Sequence, residues 1–217
     1  MPFKDNLCFI HIPKCAGTSI EKAMKIQENH SHGFGKKRYH NRHSRYVFQL
    51  QHFTYNQLHS FHVLPKDRTF YYFTFVRNPY SRLVSDFKWC HRWLRHANIF
   101  EHLDSDKRGW STFKDFVYFV KKHVEEYIDS DFLWSHFSPQ YKFIEDCPID
   151  YIGRVENFEK DLEHVSKESG VSLEVHHLNK RQHRPYQEFY TKELQDIVYE
   201  LYKEDFERFG YSYELGK

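Results

Sequence analysis

The chain has 217 residues, 40% of them hydrophobic and 19% aromatic, a composition that excludes an intrinsically disordered protein. A chain of this length has room for one domain with a sizeable core. The 32 Lys and Arg nearly balance the 30 Asp and Glu, so the net charge of +2 identifies no partner by itself, and we expect no nucleic-acid partner.

The cellular context is predicted from features that the sequence lacks. Its four cysteines show no CxxC or zinc-ligand spacing, which favours a reduced compartment. There is no apolar stretch of about 18 residues, and the first residues have no signal-peptide pattern. We therefore expect a cytoplasmic protein without a membrane span.

The first predicted elements are a strand and a helix. The apolar run Leu7–Ile12 is typical of a buried strand. The segment Thr18–Met24 predicts a helix, with Thr18 as its N-cap and Glu21 completing a capping box. The residues between these two elements therefore form a strand-to-helix turn.

Strands and helices continue to alternate through the middle of the chain. We predict a strand over Tyr46–Leu50 and a short helix from Thr54 onward. The segment Thr69–Val76 has the strongest strand pattern, because it is rich in β-branched and aromatic residues. Pro79 suits the first turn of a helix, and the residues after it continue at helical spacing.

The remaining elements complete the same pattern. They are a helix over Ser111–Tyr127, a strand over Tyr151–Val155, a helix over Phe158–Ser169 closed by Gly170, and a final helix over Thr191–Phe209. This alternation predicts an α/β fold with a central mostly parallel sheet flanked by helices. We expect a single domain over residues 1–217, in which the aromatic-rich segment 89–134 is a helical insertion, a lid or part of the core.

The strand-to-helix turn after residue 12 has the composition of an anion-binding loop. Small residues let backbone N–H groups approach a phosphate, and the N-terminus of the next helix favours negative charge. The candidate ligands are Lys14, Ala16, Gly17, Thr18 and Ser19. The loop is not a Walker A motif, in which Lys directly precedes Ser or Thr. An ordinary capped turn is the alternative interpretation.

A second candidate anion site follows the strongest predicted strand. Ligands of open α/β sheets bind at the carboxyl ends of strands, where Arg77 lies. Its guanidinium suits a phosphate through paired donors, and Ser85 lies about two turns into the helix that Pro79 begins. The alternative is an ion pair between Arg77 and a local carboxylate such as Asp86.

The two segments together, PKCAGTS (residues 13–19) and RNPYSRLVSDF (residues 77–87), resemble those of sulfotransferases that use 3′-phosphoadenosine-5′-phosphosulfate (PAPS). The similarity is strongest to the carbohydrate-type and bacterial members of that family. A weaker likeness covers most of the chain, except roughly residues 28–45 and 89–134. It is carried by Gln51–Thr54, Tyr151–Phe158, His177–Tyr186 and Tyr199–Tyr211.

This resemblance implies a P-loop-like three-layer sandwich and transfer of the sulfuryl group of PAPS to an acceptor hydroxyl. Lys14 would stabilise the leaving group. Imidazole titrates near neutral pH, so His52, at the end of a predicted strand, is the candidate general base. His59, His62 or an acidic residue are the alternatives for that role. We expect no metal requirement.

The resemblance also implies which residues bind the nucleotide. The family binds the 5′-phosphosulfate with the first loop and the 3′-phosphate with the arginine and serine of the second segment, here Arg77 and Ser85. Residues that would close over the nucleotide are Arg154, Arg181, Arg184 and Tyr186. A flexible basic surface loop is the alternative for the last three. The expected product nucleotide is 3′,5′-ADP.

The acceptor is predicted only by its chemical class. The resemblance implies a hydroxyl-bearing acceptor, and a saccharide is favoured. The stretch His30–Arg45 has five Lys or Arg and no acidic residue, so it either attracts an anionic saccharide or forms a solvated loop. Two other functions fit parts of the pattern, namely a nucleotide-dependent small-molecule kinase and a non-catalytic module that binds a polyanion.

Overall fold

The computed structural model describes residues 2–26, 38–40, 47–93, 112–125, 135–174 and 184–216. The chain forms two compact units, each made of two segments. The first unit comprises Met1–Arg77 and Asp129–Gln182, and the second comprises Asn78–Ile128 and His183–Lys217. The single domain over residues 1–217 stays a prediction.

Strands and helices alternate along the described chain. The strands are β1 (Phe3–Lys4), β2 (Leu7–Ile10), β3 (Arg38–His40), β4 (Val47–Gln49), β5 (Tyr71–Val76) and β6 (Tyr151–Arg154). The helices are α1 (Gly17–Ala23), α2 (Tyr55–Ser60), α3 (Pro79–Trp93), α4 (Phe113–Glu125), α5 (Phe158–Ser169), α6 (Lys192–Leu201) and α7 (Lys203–Phe209). Short 3₁₀ helices lie at Leu50–His52, Gln140–Phe143, Val155–Asn157 and Tyr186–Phe189. Among the helices described, none combines the length and the apolar character needed to cross a membrane.

The first unit is built on a four-stranded sheet in the order β1-β2-β5-β6. Strands β2, β5 and β6 are parallel, and the two-residue β1 is antiparallel to β2. All of β2 and nearly all of β5 is buried. Parallel strands that are covered on both faces have such continuous apolar runs, because neither face meets water.

The three parallel strands end at the same edge of this sheet. Ile10 of β2 pairs with Thr74 of β5, whose buried hydroxyl donates to the Ile10 carbonyl over 2.7 Å. At this edge lie the loop of residues 11–16 after β2, Arg77 after β5, and Arg154 at the end of β6. The predicted α/β fold, with a central mostly parallel sheet flanked by helices, is confirmed.

The second unit consists of helices that pack through aromatic side chains. Tyr80 is fully buried, and its ring centroid lies 4.8 Å from that of Phe206. Its hydroxyl donates to the Tyr213 carbonyl over 2.9 Å, and the Tyr190 hydroxyl donates to the Tyr80 carbonyl over 2.9 Å. The buried Tyr80 is tolerated in this core because its hydroxyl has a partner. Apart from Thr112, the described parts of the segment 89–134 belong to α3 and α4, and its role as an insertion stays a prediction.

Capping residues define one end of each of two predicted helices. Thr54 is the N-cap of α2, and its hydroxyl accepts from the Gln57 N–H over 3.1 Å. The Gln57 side chain accepts in return from the Thr54 N–H over 2.9 Å, which completes a capping box. Helix α5 spans Phe158–Ser169 as predicted, and Gly170 ends it with a left-handed φ of 71°.

The predicted capping of α1 is wrong. The helix begins at Gly17, and its N-cap is Ala16, which makes no side-chain cap hydrogen bond. Thr18 therefore lies inside the first turn. Glu21 completes no capping box, because its carboxylate is hydrogen-bonded to His11.

Two further differences lie elsewhere in the chain. The predicted helix Thr191–Phe209 is two helices, because Tyr202 leaves the helical range with a φ of −119° between α6 and α7. The sequence analysis also missed β3, which pairs antiparallel with β4. Strand β3 is the described part of the basic stretch His30–Arg45, and the rest of that stretch lies outside the described residues.

Candidate functional site

The loop between β2 and α1 has two non-glycine residues in the left-handed region, Lys14 at φ 67° and Ala16 at φ 62°. Each such residue costs roughly 1–2 kcal/mol, and strain of this kind concentrates at functional sites. A left-handed residue followed by a right-handed one turns successive N–H groups toward a common point that suits an anion. Ala16 followed by the helical Gly17 has this arrangement. The donor set of the loop therefore fits a phosphate or sulfate group.

The two hydroxyl residues of the loop differ in exposure. Thr18 is exposed on the first turn of α1, whereas Ser19 is buried. The Ala16 carbonyl accepts from the Ser19 N–H over 2.9 Å and from the Ile20 N–H over 3.2 Å, which closes the turn. Of the two predicted hydroxyl ligands, Thr18 is thus the one that faces solvent.

His11, which the sequence analysis did not single out, packs against the loop. Its Nδ1 lies 2.8 Å from Oε1 of Glu21, and both side chains are almost fully buried. An ionised carboxylate can only accept, so Nδ1 of His11 carries the proton. A Cβ built on Gly17 would lie 1.8 Å from Nε2 of His11. Glycine is therefore needed at this position because the imidazole ring occupies the space of a side chain.

The predicted base His52 ends the 3₁₀ helix Leu50–His52 and is buried. Its Nδ1 lies 3.4 Å from the carbonyl oxygen of His11. A carbonyl can only accept, so Nδ1 is the donor, and the lone pair of a neutral ring lies on Nε2. The ring centroid of His52 lies 4.7 Å from that of His11 and 5.6 Å from that of His136, which is also buried.

The surroundings of His52 lower the pKa of its imidazole well below the usual 6.5. Burial is the largest cause, and the positive charges that His11, His136 and Lys14 can carry act in the same direction. The hydrogen bond to the His11 carbonyl opposes them in part. His52 is therefore neutral at physiological pH, the state that a general base requires.

The alternative bases lie in a different environment. His59 is exposed on α2, where its ring centroid lies 4.5 Å from that of Tyr55. His62 is exposed in the turn after α2, with a φ of 52°. The choice of His52 stays a prediction, and it is the one of the three histidines that lies beside the loop histidine His11.

Arg77 joins the second predicted segment to the first. Its Nη1 donates to the Lys14 carbonyl over 3.4 Å. Its backbone N–H donates to Oε1 of Gln140, and its carbonyl accepts from Nε2 of Gln140, both over 2.9 Å. Gln140 also accepts from the thiol of the buried Cys15 over 3.2 Å. Gln140 was not predicted as a site residue, since no local pattern marks a contact made across so many residues.

The other residues predicted to bind the nucleotide are divided between the two units. Arg154 ends β6 in the first unit, where its N–H donates to the carboxylate of Asp161 over 2.6 Å. Ser85 lies half-buried on α3 in the second unit. Also in the second unit, Arg184 is paired with Glu188, and Tyr186 begins a 3₁₀ helix. Arg181 lies outside the described residues.

The first unit thus brings together the loop of residues 13–19, His52, Arg77 and Arg154 at the carboxyl edge of the sheet. The positive charges of Lys14 and Arg77 suit a ligand with anionic groups, and the neutral imidazole of His52 lies in the same part of the unit. Within the described ranges, no three His, Cys, Asp or Glu side chains are grouped as metal ligands.

Comparison with known proteins places this arrangement in a family. The family model described as "Sulfotransferase family" matches residues 2–212. A curated relative, carbohydrate sulfotransferase 10 of Xenopus laevis, is 24% identical over 246 aligned positions that cover 96% of this chain. The chain spans 65% of the length of that relative. Because the family model matches nearly the whole chain, the chain belongs to the sulfotransferase family.

Proposed function

We propose that this chain transfers the sulfuryl group of PAPS to a hydroxyl of a carbohydrate. The observation that carries the proposal is a buried, neutral His52 beside a strained loop that presents Lys14, in a chain of the sulfotransferase family. When bound, PAPS supplies an activated sulfuryl group linked to its 5′-phosphate.

Lys14 acts on the leaving group in this proposal. The bond between sulfur and the bridging oxygen breaks during transfer, and negative charge develops on the 5′-phosphate. The ammonium group of Lys14 stabilises that charge, and the N–H groups at Ala16 and Gly17 bind the same phosphate. Their positions are set by the loop before the ligand arrives, so little reorganisation opposes the reaction.

His52 acts on the acceptor. The acceptor hydroxyl oxygen forms a new bond to sulfur, and its proton passes to the Nε2 lone pair of His52. The products are a sulfate ester, the 3′,5′-ADP leaving group and a protonated His52. Because His11, His136 and Lys14 all lower the pKa of His52, the ring readily releases this proton to solvent afterwards.

Arg77 is assigned to the 3′-phosphate. A guanidinium binds a phosphate through paired, charge-assisted hydrogen bonds, which fix orientation as well as adding affinity. The contact of Arg77 with the Lys14 carbonyl supports a role of both residues in one ligand site. Two anchored phosphate groups hold the sulfur in line with the acceptor hydroxyl.

The saccharide acceptor is supported by the name of the Xenopus laevis relative, which is a carbohydrate sulfotransferase. The basic stretch His30–Arg45 favours a saccharide that carries carboxylate or sulfate groups. A panel of neutral and uronic-acid-containing oligosaccharides therefore covers the expected class. Cytoplasmic location stays a prediction of the sequence.

The decisive experiment measures sulfate transfer from PAPS to this panel by mass spectrometry, with and without EDTA. The wild type is expected to form singly sulfated products in both conditions. Lys14→Ala is expected to lower kcat by about 10²–10³-fold, as loss of one stabilising donor does in other acyl- or group-transfer sites. Lys66→Ala is the matched control, since it removes an exposed lysine of the same unit.

Two outcomes would contradict the proposal. Phosphate transfer from ATP that requires Mg²⁺, without sulfate transfer from PAPS, would identify the kinase alternative. Binding of an anionic polysaccharide without turnover, unchanged in Lys14→Ala, would identify a non-catalytic polyanion-binding module.

A further inference from the structure

Gln140 connects the two predicted anion-binding segments from a fully buried position in the first unit. It begins the 3₁₀ helix Gln140–Phe143 and follows Pro139. In sequence it lies 63 residues from Arg77 and 125 residues from Cys15. Neither segment contains it, so its contacts with both exist only in the folded chain.

The side-chain amide of Gln140 is hydrogen-bonded to both main-chain polar groups of Arg77. The Arg77 N–H donates to Oε1, and Nε2 donates to the Arg77 carbonyl, each over 2.9 Å. Two residues of an antiparallel strand pair exchange bonds in this way, so the Gln140 amide acts as a strand-like partner for the residue that follows β5. A buried side chain therefore holds the backbone from which the Arg77 guanidinium extends.

The same amide oxygen also reaches the loop. The Cys15 thiol donates to Oε1 over 3.2 Å, and an amide oxygen has two lone pairs with which to accept both donors. The Arg77 guanidinium adds a direct contact to the Lys14 carbonyl over 3.4 Å. The loop and the end of β5 thus share one connected set of hydrogen bonds, and a displacement of one is transmitted to the other.

We propose that Gln140 is a positioning residue that fixes the loop and Arg77 relative to each other, so that both phosphates of a nucleoside 3′,5′-bisphosphate are bound together. The inference rests on the proposed function, in which the loop binds the 5′-phosphate and Arg77 binds the 3′-phosphate. Gln140 acts through Cys15 and Arg77 and does not touch the ligand. Paired guanidinium contacts depend on direction, so a shift of the Arg77 backbone weakens them even though the charge remains.

The test measures how much affinity the 3′-phosphate adds. Dissociation constants for 5′-AMP and for 3′,5′-ADP are determined by calorimetry, and their ratio is the 3′-phosphate gain. Gln140→Met keeps the side-chain volume but removes the amide, and it is expected to lower this gain about tenfold. Ser166→Ala is the matched control, because it removes hydrogen bonds to Val171 and Leu173 in the same unit, and the gain should be unchanged.

A double-mutant cycle separates positioning from a general loss of stability. In an Arg77→Ala background the 3′-phosphate gain is already lost, so Gln140→Met should lower it no further. Gln140→Asn, which keeps the amide but is one methylene shorter, is the second variant if circular dichroism shows that Gln140→Met does not fold. It should also lower the gain.

The outcomes distinguish this inference from the proposed function. A wild type that binds 5′-AMP as tightly as 3′,5′-ADP would overturn the donor assignment and the role of Gln140 with it. A wild type with a large 3′-phosphate gain that persists in folded Gln140→Met and Gln140→Asn would overturn the role of Gln140 alone.

Discussion

Substituting Gly17 by alanine tests whether the ring of His11 fixes the composition of the candidate anion-binding loop. The new Cβ would lie 1.8 Å from Nε2 of His11 and 2.3 Å from both Cδ2 and Cε1. The ring cannot remain in place at such distances. The His11 ring is hydrogen-bonded to Glu21, and it has little room to move because the side chains of His11 and Glu21 are almost fully buried.

The expected cost follows from the contacts that must break. Overpacking a buried site costs about 1–3 kcal/mol. Moving the ring also separates Nδ1 from the Glu21 carboxylate, and an unsatisfied buried partner costs about 1–3 kcal/mol. The gain from replacing Gly in a helix is about 1 kcal/mol at most. Gly17→Ala should therefore lower the free energy of unfolding by about 3 kcal/mol, or the melting temperature by roughly 10 °C.

The assay is urea unfolding followed by circular dichroism, applied to a double-mutant cycle with His11→Ala. Removing the ring gives the new methyl group space. The double variant should therefore lose about 2 kcal/mol less free energy of unfolding than the two single variants lose together. Gly216→Ala is the matched control, because no atom lies within 4 Å of its Cβ position. Near-wild-type stability of Gly17→Ala, or simple additivity in the cycle, would refute the close approach of the ring.

Four further predictions concern the base and two helix ends. The pKa of His52 lies below 6.5 in the folded chain, so kcat/KM should stay constant as the pH falls to 6.5 and decline only below it. A decline of kcat/KM that begins at or above pH 6.5 would exclude His52 as the base. The same shift should destabilise the fold as the pH falls from 6.5 toward the folded pKa, because the unfolded chain takes up the proton first. Thr54→Val removes the N-cap of α2 and should cost about 1 kcal/mol in urea unfolding, whereas Thr54→Ser should cost much less. Gly170→Ala should cost about 1 kcal/mol through its φ of 71° alone, since no neighbour contacts its Cβ position, and Gly170→Asn should recover part of that loss.

The fold was largely predictable because its signals are local. The strand β5 is a run of aromatic and β-branched residues, and such a run has few alternatives to a buried strand. Helix α5 carries its own end signal in Gly170. The capping error arose where a tertiary contact overrode a local pattern. Glu21 fits a capping box by spacing, yet its carboxylate is taken by His11.

The candidate site was predictable only for residues whose type and position both point to an anion. Lys14 and Arg77 each follow a strand and carry the charge that a phosphate requires. His136 and Gln140 have no such local signal, because their significance comes from contacts with residues far away in the sequence. Residues that bind a ligand are therefore easier to predict from the sequence than residues that hold those binding residues in position.

The division of the chain into two units also determines the order in which the fold can be completed. The chain leaves the first unit after Arg77 and returns to it only at Asp129. Contacts between β2 and β5 join residues 64 positions apart, and those between β5 and the segment before β6 join residues 78 positions apart. Pairing at such separations is slow. During synthesis, the β6 edge of β5 therefore stays unpaired while the first helices of the second unit are made, and an unpaired strand edge favours aggregation.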